Sequence, residues 1–88
     1  MKISIEISLY PLAEEKFKKE IWNFIYKLRD NEQLKVITNG MSTQVFGDYD
    51  IAVKTVMDEI KVVHETVGTA VFVCKFIGGD RSEIEDEL

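Results

Sequence analysis

An 88-residue chain is sized for one small domain, which buries a modest share of its surface and is marginal by itself, so assembly is one expected remedy. A formal charge of −5 argues against binding a phosphate backbone, and no apolar run is long enough to span a bilayer. The single cysteine, Cys74, excludes an internal disulfide and any multi-cysteine metal site within one chain.

Met1-Lys2 passes straight into a segment where Ile3, Ile5, Ile7 and Leu9 alternate with Ser4, Glu6, Ser8 and Tyr10. This opening lacks the pattern of a secretory leader, and the cytoplasm is the expected location. The period of two predicts a strand with one oily and one polar face, ended by Pro11. From Ala13 to Arg29 the period changes. Phe17, Ile21, Phe24, Ile25 and Leu28 form one helical stripe, with Glu14 and Glu15 in the first turn and Arg29 in the last, as the helix dipole favours. Trp22 falls at the edge of that stripe and Tyr26 away from it.

After the polar break Asp30-Asn31-Glu32, β-branched Val36, Ile37 and Thr38 predict a second strand over Leu34 to Thr38. Asn39-Gly40 is a hairpin signal, with Gly40 supplying a positive φ, and a third strand follows from Ser42 to Phe46. A second helix is expected near Asp48, which can cap it through its carboxylate. Val53, Val56, Met57, Ile60, Val63, His64 and Val67 share one side of that helix, and Gly68 suits a left-handed stop. Thr69 to Ile77 predicts the last strand. Ala70, Phe72, Cys74 and Phe76 lie on one of its faces, and Val71, Val73 and Ile77 on the other.

The order is βαββαβ. Each βαβ half requires a right-handed crossover, and two interleaved halves give an α+β, ferredoxin-like sandwich: a four-stranded antiparallel sheet with both helices on one face and strands one and three central. Residues 1–80 then form a single ligand-binding domain, and residues 81–88 an acidic tail expected to fray. Two helices cover only one face of a sheet. A last strand that is apolar on both faces therefore predicts a second cover, for which another copy of the chain is the expected candidate.

The residues able to carry chemistry are few. His64 is the only histidine; a packed role, bonded to a backbone oxygen, competes with a role as a donor lining a pocket. Cys74, mid-strand between apolar neighbours, reads as a small buried hydrophobe without a cation to activate it. Ser42 and Thr43 are either ordinary strand residues or, beside a glycine turn, contacts to the edge of a heterocycle. Asp48 and Asp50 read as caps before acids. Trp22, Tyr10 and Tyr49 could stack on a ring or a cation. Phosphate-loop, nucleophile-elbow and dinucleotide-binding signatures are absent, so neither catalytic residues, nor a metal, nor a cofactor is expected.

Ile5-Glu6-Ile7-Ser8-Leu9-Tyr10-Pro11-Leu12 resembles the first-strand signature of the YkoF-like, thiamine-binding family. Gly40-Met41-Ser42-Thr43 with Val45-x-Gly47 is similar to its second motif, and His64-Glu65 and the Gly78 to Arg81 cluster also look like the family. The resemblance spans residues 3 to 81. It implies a ferredoxin-like domain that binds thiamine or its hydroxymethylpyrimidine part without catalysis, in salvage or transport, and assembles as a dimer or tetramer. It implies that Ser42 and Thr43 hydrogen-bond the pyrimidine, with Tyr10 and His64 near the pocket. Glu6 or Asp48 is the expected counter-charge to a thiazolium, because a cation leaving water needs one. Gln44 and Phe46 depart from the pattern by adding bulk and polarity to the third strand. The competing expectation is a regulatory or purely structural oligomer of the same layout. The acylphosphatase alternative fails, because no loop after the first strand offers an arginine amid backbone donors.

Overall fold

The structure, a computed structural model, describes residues 1–12 and 17–83. The elements run β1 (Lys2–Pro11), α1 (Phe17–Arg29), β2 (Lys35–Thr38), β3 (Thr43–Asp48), α2 (Tyr49–Val67) and β4 (Ala70–Gly78). They form the expected α+β sandwich, a four-stranded antiparallel sheet in the order β2-β3-β1-β4. The expected start of the first helix, with Glu14 and Glu15, lies outside the described residues.

The pleat of β1 sorts the molecule into two sides. Ile3, Ile5 and Ile7 are at most 2% exposed and meet Phe24, Ile25 and Leu28 of α1 and Ala52, Val56, Ile60 and Val63 of α2. Val45 of β3 completes that layer. The second helix turns a slightly different face inward than its sequence stripe suggested. The spacing 52, 56, 60, 63 defines the buried line, so Met57 and His64, each one residue further round, are exposed. Gly68 ends α2 at φ 85°, the left-handed region that favours glycine, and its N–H donates to the His64 carbonyl.

Two turn expectations are corrected. Asp48 occupies the N-cap position of α2 but makes no side-chain cap bond, and the first helical N–H, of Tyr49, donates to the carbonyl of Met1 at 2.9 Å. Gly40 is not among the glycines at positive φ. The hairpin is closed by Asn39, whose Oδ1 accepts the N–H groups of Met41 (2.8 Å) and Ser42 (3.2 Å), and whose own N–H donates to the Ser42 carbonyl. The connection therefore spans residues 39–42, and β3 starts at Thr43.

On the side away from the helices, the chain covers part of its own sheet. After β4, residues 79–83 cross from the β4 edge toward β2. The Gly79 N–H donates to the Lys2 carbonyl, the buried Ser4 hydroxyl donates to the Gly79 carbonyl (2.9 Å) and accepts the Arg81 N–H (2.8 Å), and Lys35 Nζ lies 3.5 Å from Glu83 Oε1. Asp80 accepts the Ser82 N–H within this segment, and bonds from Ser82 hold its carboxyl below the ordinary value. Phe46, on this same side of the sheet, is buried. Arg81 to Glu83, which sequence placed in the tail, thus lie against the sheet, and residues 84–88 lie outside the described residues. The β4 half of the face stays open, with Val71, Val73 and Ile77 exposed. No helix among the described residues is long and apolar enough to cross a membrane.

Ser4 is the one side chain that both gives and takes a bond in holding the strap. Ser4→Ala should lower unfolding free energy by about 1–2 kcal/mol, because a carbonyl and an N–H lose their shared partner. Urea denaturation checks this, and an unchanged midpoint would mean that the strap is held without Ser4.

Candidate functional site

A cleft of about 460 Å3 opens where α1 leaves the sheet at the hairpin end. Its walls come from residues 7–10 of β1, from Ile21, Trp22, Phe24 and Ile25 of α1, and from residues 38–43 of the β2–β3 hairpin. The hairpin shapes it directly. Thr38 pairs with Thr43 in the β2–β3 ladder, which places both side chains on the helix side of the sheet. Their hydroxyls meet at 3.1 Å, and either can donate. Thr43 is buried, and Trp22 is about half exposed at the rim; Tyr10 borders the cleft but pairs with Val71 of β4, which sets its half-exposed ring on the helix-free side. Trp22 packs on Tyr26 with ring centroids 5.8 Å apart.

Sequence reasoning paired Ser42 with Thr43 as twin contacts. Adjacent strand residues point to opposite faces, and the structure separates their hydroxyls accordingly. Ser42 contributes to the cleft wall, but its hydroxyl donates to Glu6 Oε2 at 3.0 Å. Glu6 is on the helix-free face and also approaches Lys75 Nζ at 3.4 Å, so its charge is offset there. Asp48 is at the far end of β3, five residues and roughly 16 Å from Thr43. Neither carboxylate is among the residues lining the cleft.

His64 is also outside it. The histidine is exposed on the last turn of α2, with Nε2 3.2 Å from the Ala70 carbonyl, which makes Nε2 the protonated nitrogen of that bond. Its ring meets the edge of Phe72 at 5.3 Å. Phe72 also touches Phe24, and it is Phe24 that reaches the cleft. Of the six expected ligand contacts, Thr43 turns its side chain to the cleft side of the sheet, Ser42 and Tyr10 border the cleft with side chains set toward the other face, and Glu6, Asp48 and His64 lie elsewhere.

Thr38 and Asn39 were not identified from sequence as site residues. The signal was present: a hairpin closing over residues 39–42 must set 38 opposite 43. A smaller hollow of about 270 Å3 lies on the helix-free face between Glu6, Gln44, Phe46, Lys75, Ile77 and Arg81. Its aromatic lining residue, Phe46, is buried, the Ser4 hydroxyl beside it is engaged by the strap, and the Glu6–Lys75 pair borders its polar side. Among the described residues no three of His, Cys, Asp and Glu gather as metal ligands. Cys74 is half-buried on the helix side of β4, and burial pushes its thiol up from the ordinary value.

Neither a protein-family profile nor a curated protein matches this sequence. Solved structures do match. A hypothetical protein from Methanocaldococcus jannascii is 28% identical with a TM-score of 0.76, over 93% of this chain and 84% of that one. A protein from Streptococcus pneumoniae is 15% identical with a TM-score of 0.77, over 96% and 93%. A candidate thiamine biosynthesis/salvage protein from Thermotoga maritima is 17% identical with a TM-score of 0.76, over 86% and 82%. These likenesses establish the fold as one that nature uses repeatedly, and fold alone does not carry function.

The direction of the Cys74 shift has a chemical consequence. At about pH 8 it should alkylate more slowly than a cysteine in an unstructured peptide, since less thiolate is present. Iodoacetamide kinetics followed by mass spectrometry check this, and an equal or faster rate would mean an activated thiol.

Proposed function

We propose that this chain is a non-catalytic binding protein for a small flat heterocycle, thiamine or its hydroxymethylpyrimidine moiety, serving salvage or transport, and a single-domain relative of the YkoF-like thiamine-binding family. One observation carries the reading: a hydroxyl pair in the wall of a cleft of about 460 Å3, with the Trp22 ring at its rim. That volume suits a small-molecule site, and apolar walls with a few placed polar groups are the usual make-up of one. The strand motifs that resemble the family and the likeness to the Thermotoga maritima protein support the same class of ligand. The chemistry of the pair supports binding without turnover. The partner of Thr43 is another hydroxyl, and a hydroxyl is no general base.

Ligand at about 100 times its Kd adds about 2.7 kcal/mol, which moves the melting temperature of a domain this small by roughly 10 °C or more. Thiamine or hydroxymethylpyrimidine should therefore raise the melting temperature of the wild-type chain, and Thr43→Val should lose most of that rise while staying folded. Absence of a shift for the wild type at millimolar ligand contradicts the reading.

The open half of the sheet favours a second element of function. Val71, Val73 and Ile77 lie exposed beside the Glu6–Lys75 pair, and a two-fold axis through such a patch sets apolar on apolar and each lysine near a glutamate of the other copy. We propose a dimer or tetramer formed through this face. Sedimentation should find the wild type dimeric or larger and Val73→Lys monomeric; a monomeric wild type at micromolar concentration contradicts the assembly. Assembly without any ligand-induced melting shift would instead favour a regulatory or structural oligomer.

A further inference from the structure

The two edges of the sheet are finished differently. β2 is four residues long, and Lys35 lies 3.5 Å from Glu83 of the strap. Short edges, lysines and covering segments are how native sheets discourage pairing with another strand. β4 is left long and regular. It has nine residues, holds an unbroken register with β1 from Ala70 to Gly78, and contains no proline. Its one charged side chain, Lys75, lies 3.4 Å from Glu6 of its own sheet.

The direction of its backbone groups follows from the ladder. In an antiparallel pair, the N–H and C=O of alternate residues point at the partner strand, and those of the residues between point away. The Leu12 N–H donates to the Thr69 carbonyl and the Gly79 N–H to the Lys2 carbonyl, so the odd-numbered residues of β4 bond β1. Ala70, Phe72, Cys74, Phe76 and Gly78 therefore direct their backbone groups out of the sheet. The Ala70 carbonyl already accepts from His64 Nε2. Among the described residues, the outward groups of Phe72, Cys74 and Phe76 meet no further strand.

We infer that β4 is a self-pairing edge: two copies join β4 to β4 antiparallel about a two-fold axis at Cys74, so that their four-stranded sheets run on as one. This step rests on the reading above that copies of the chain associate, and it adds a contact distinct from the helix-free face. The pattern Val71-Phe72-Val73-Cys74-Lys75-Phe76-Ile77 nearly repeats itself when reversed about Cys74. Phe72 then stands opposite Phe76 of the second copy, and Val71 opposite its Ile77. Each partly exposed phenylalanine gains an aromatic neighbour, as cross-strand pairs favour. Neighbouring registers do worse. An axis at Val73 sets Phe76 against Ala70, whose carbonyl His64 holds. An axis at Lys75 sets two lysines directly opposite, which like charge penalises. The axis at Cys74 uses the outward groups of Phe72, Cys74 and Phe76 in both copies and sets each Lys75 against a valine. An unrelated strand would gain the same backbone bonds but not this match of a pattern with its own reverse, which favours a second copy as the occupant.

Val73 and Lys75 supply the test. Within one chain their α-carbons are about 6.6–6.8 Å apart. Across the pair they are non-hydrogen-bonded partners, about 4.5 Å from each other. An isotope-filtered NOE experiment on mixed labelled and unlabelled chains should show a Val73 Hα–Lys75 Hα contact between copies. Amide exchange at Phe72, Cys74 and Phe76 should slow about tenfold or more as the chain passes from dilute monomer to assembly. Val73→Lys would also oppose Lys75 across this edge, so it does not separate the two contacts; Phe76 does. Phe76→Pro removes an outward N–H while leaving the β1 ladder and the helix-free patch in place, and it should weaken association by roughly tenfold or more. Should that variant fail to fold by circular dichroism, Phe76→Lys, which keeps the N–H but puts a charge on the edge, should weaken association likewise. Association of these variants equal to wild type, or an associated wild type with no Val73–Lys75 contact between copies, overturns the edge pairing and leaves assembly through the helix-free face standing. A wild type that stays monomeric overturns both.

Discussion

Successive side chains of β1 point to opposite sides of the sheet, and the two sides meet different fates. Ile3, Ile5 and Ile7 vanish beneath the helices, whereas Ser4, Glu6 and Ser8 face away from them. The register of β1 with β3 then fixes everything at the hairpin. Ile7 stands opposite Thr43, so Thr43 belongs to the helix side and Gln44 and Ser42 to the other. A slip of one residue would exchange the two sets, sending Thr43 out to Glu6 and bringing a glutamine into the core. The cleft exists because this register and the helix stripe of α1 agree.

Sequence made the fold legible because its signals were long. Four alternating positions in β1 and five periodic positions in α1 each outweigh local ambiguity, and the order βαββαβ leaves few topologies. The site was legible only in part, for a reason of the same kind. Adjacency in sequence suggested that Ser42 and Thr43 act together, but adjacency in a strand is separation in space. The true partner of Thr43 is Thr38, five residues away and across the hairpin. His64 was drawn toward the pocket by its place beside the apolar stripe of α2, yet one residue of helical rotation carries it to the surface, where it meets Ala70 and Phe72. Asp48 sits where an N-cap sits, yet its carboxylate makes no cap bond, and the first helical N–H, of Tyr49, goes to the carbonyl of Met1. Contacts with the chain's first residue leave no local signature.

The helix-free face shows how a small domain manages surplus apolar surface. The two-sided β4 announced that surplus. Part of the cover turns out to be internal: residues 79–83 fold back over Phe46, tied by the Ser4 hydroxyl and by Lys35 to Glu83. What the strap leaves bare is the β4 half, with Val71, Val73 and Ile77. The cleft and the bare patch lie on opposite sides of the sheet, so binding a small molecule and pairing with a second copy do not compete for the same surface.

The account stands or falls on where a flat ring lodges. Backbone and indole amide resonances of the 15N-labelled chain, followed during titration with hydroxymethylpyrimidine, locate it directly. Shifts concentrated at Thr38, Thr43, residues 7–10 and the Trp22 indole, saturating together, are the result predicted here. Shifts centred on Glu6, Lys75 and Ile77, or on His64, or no saturable shift in any residue, would contradict it.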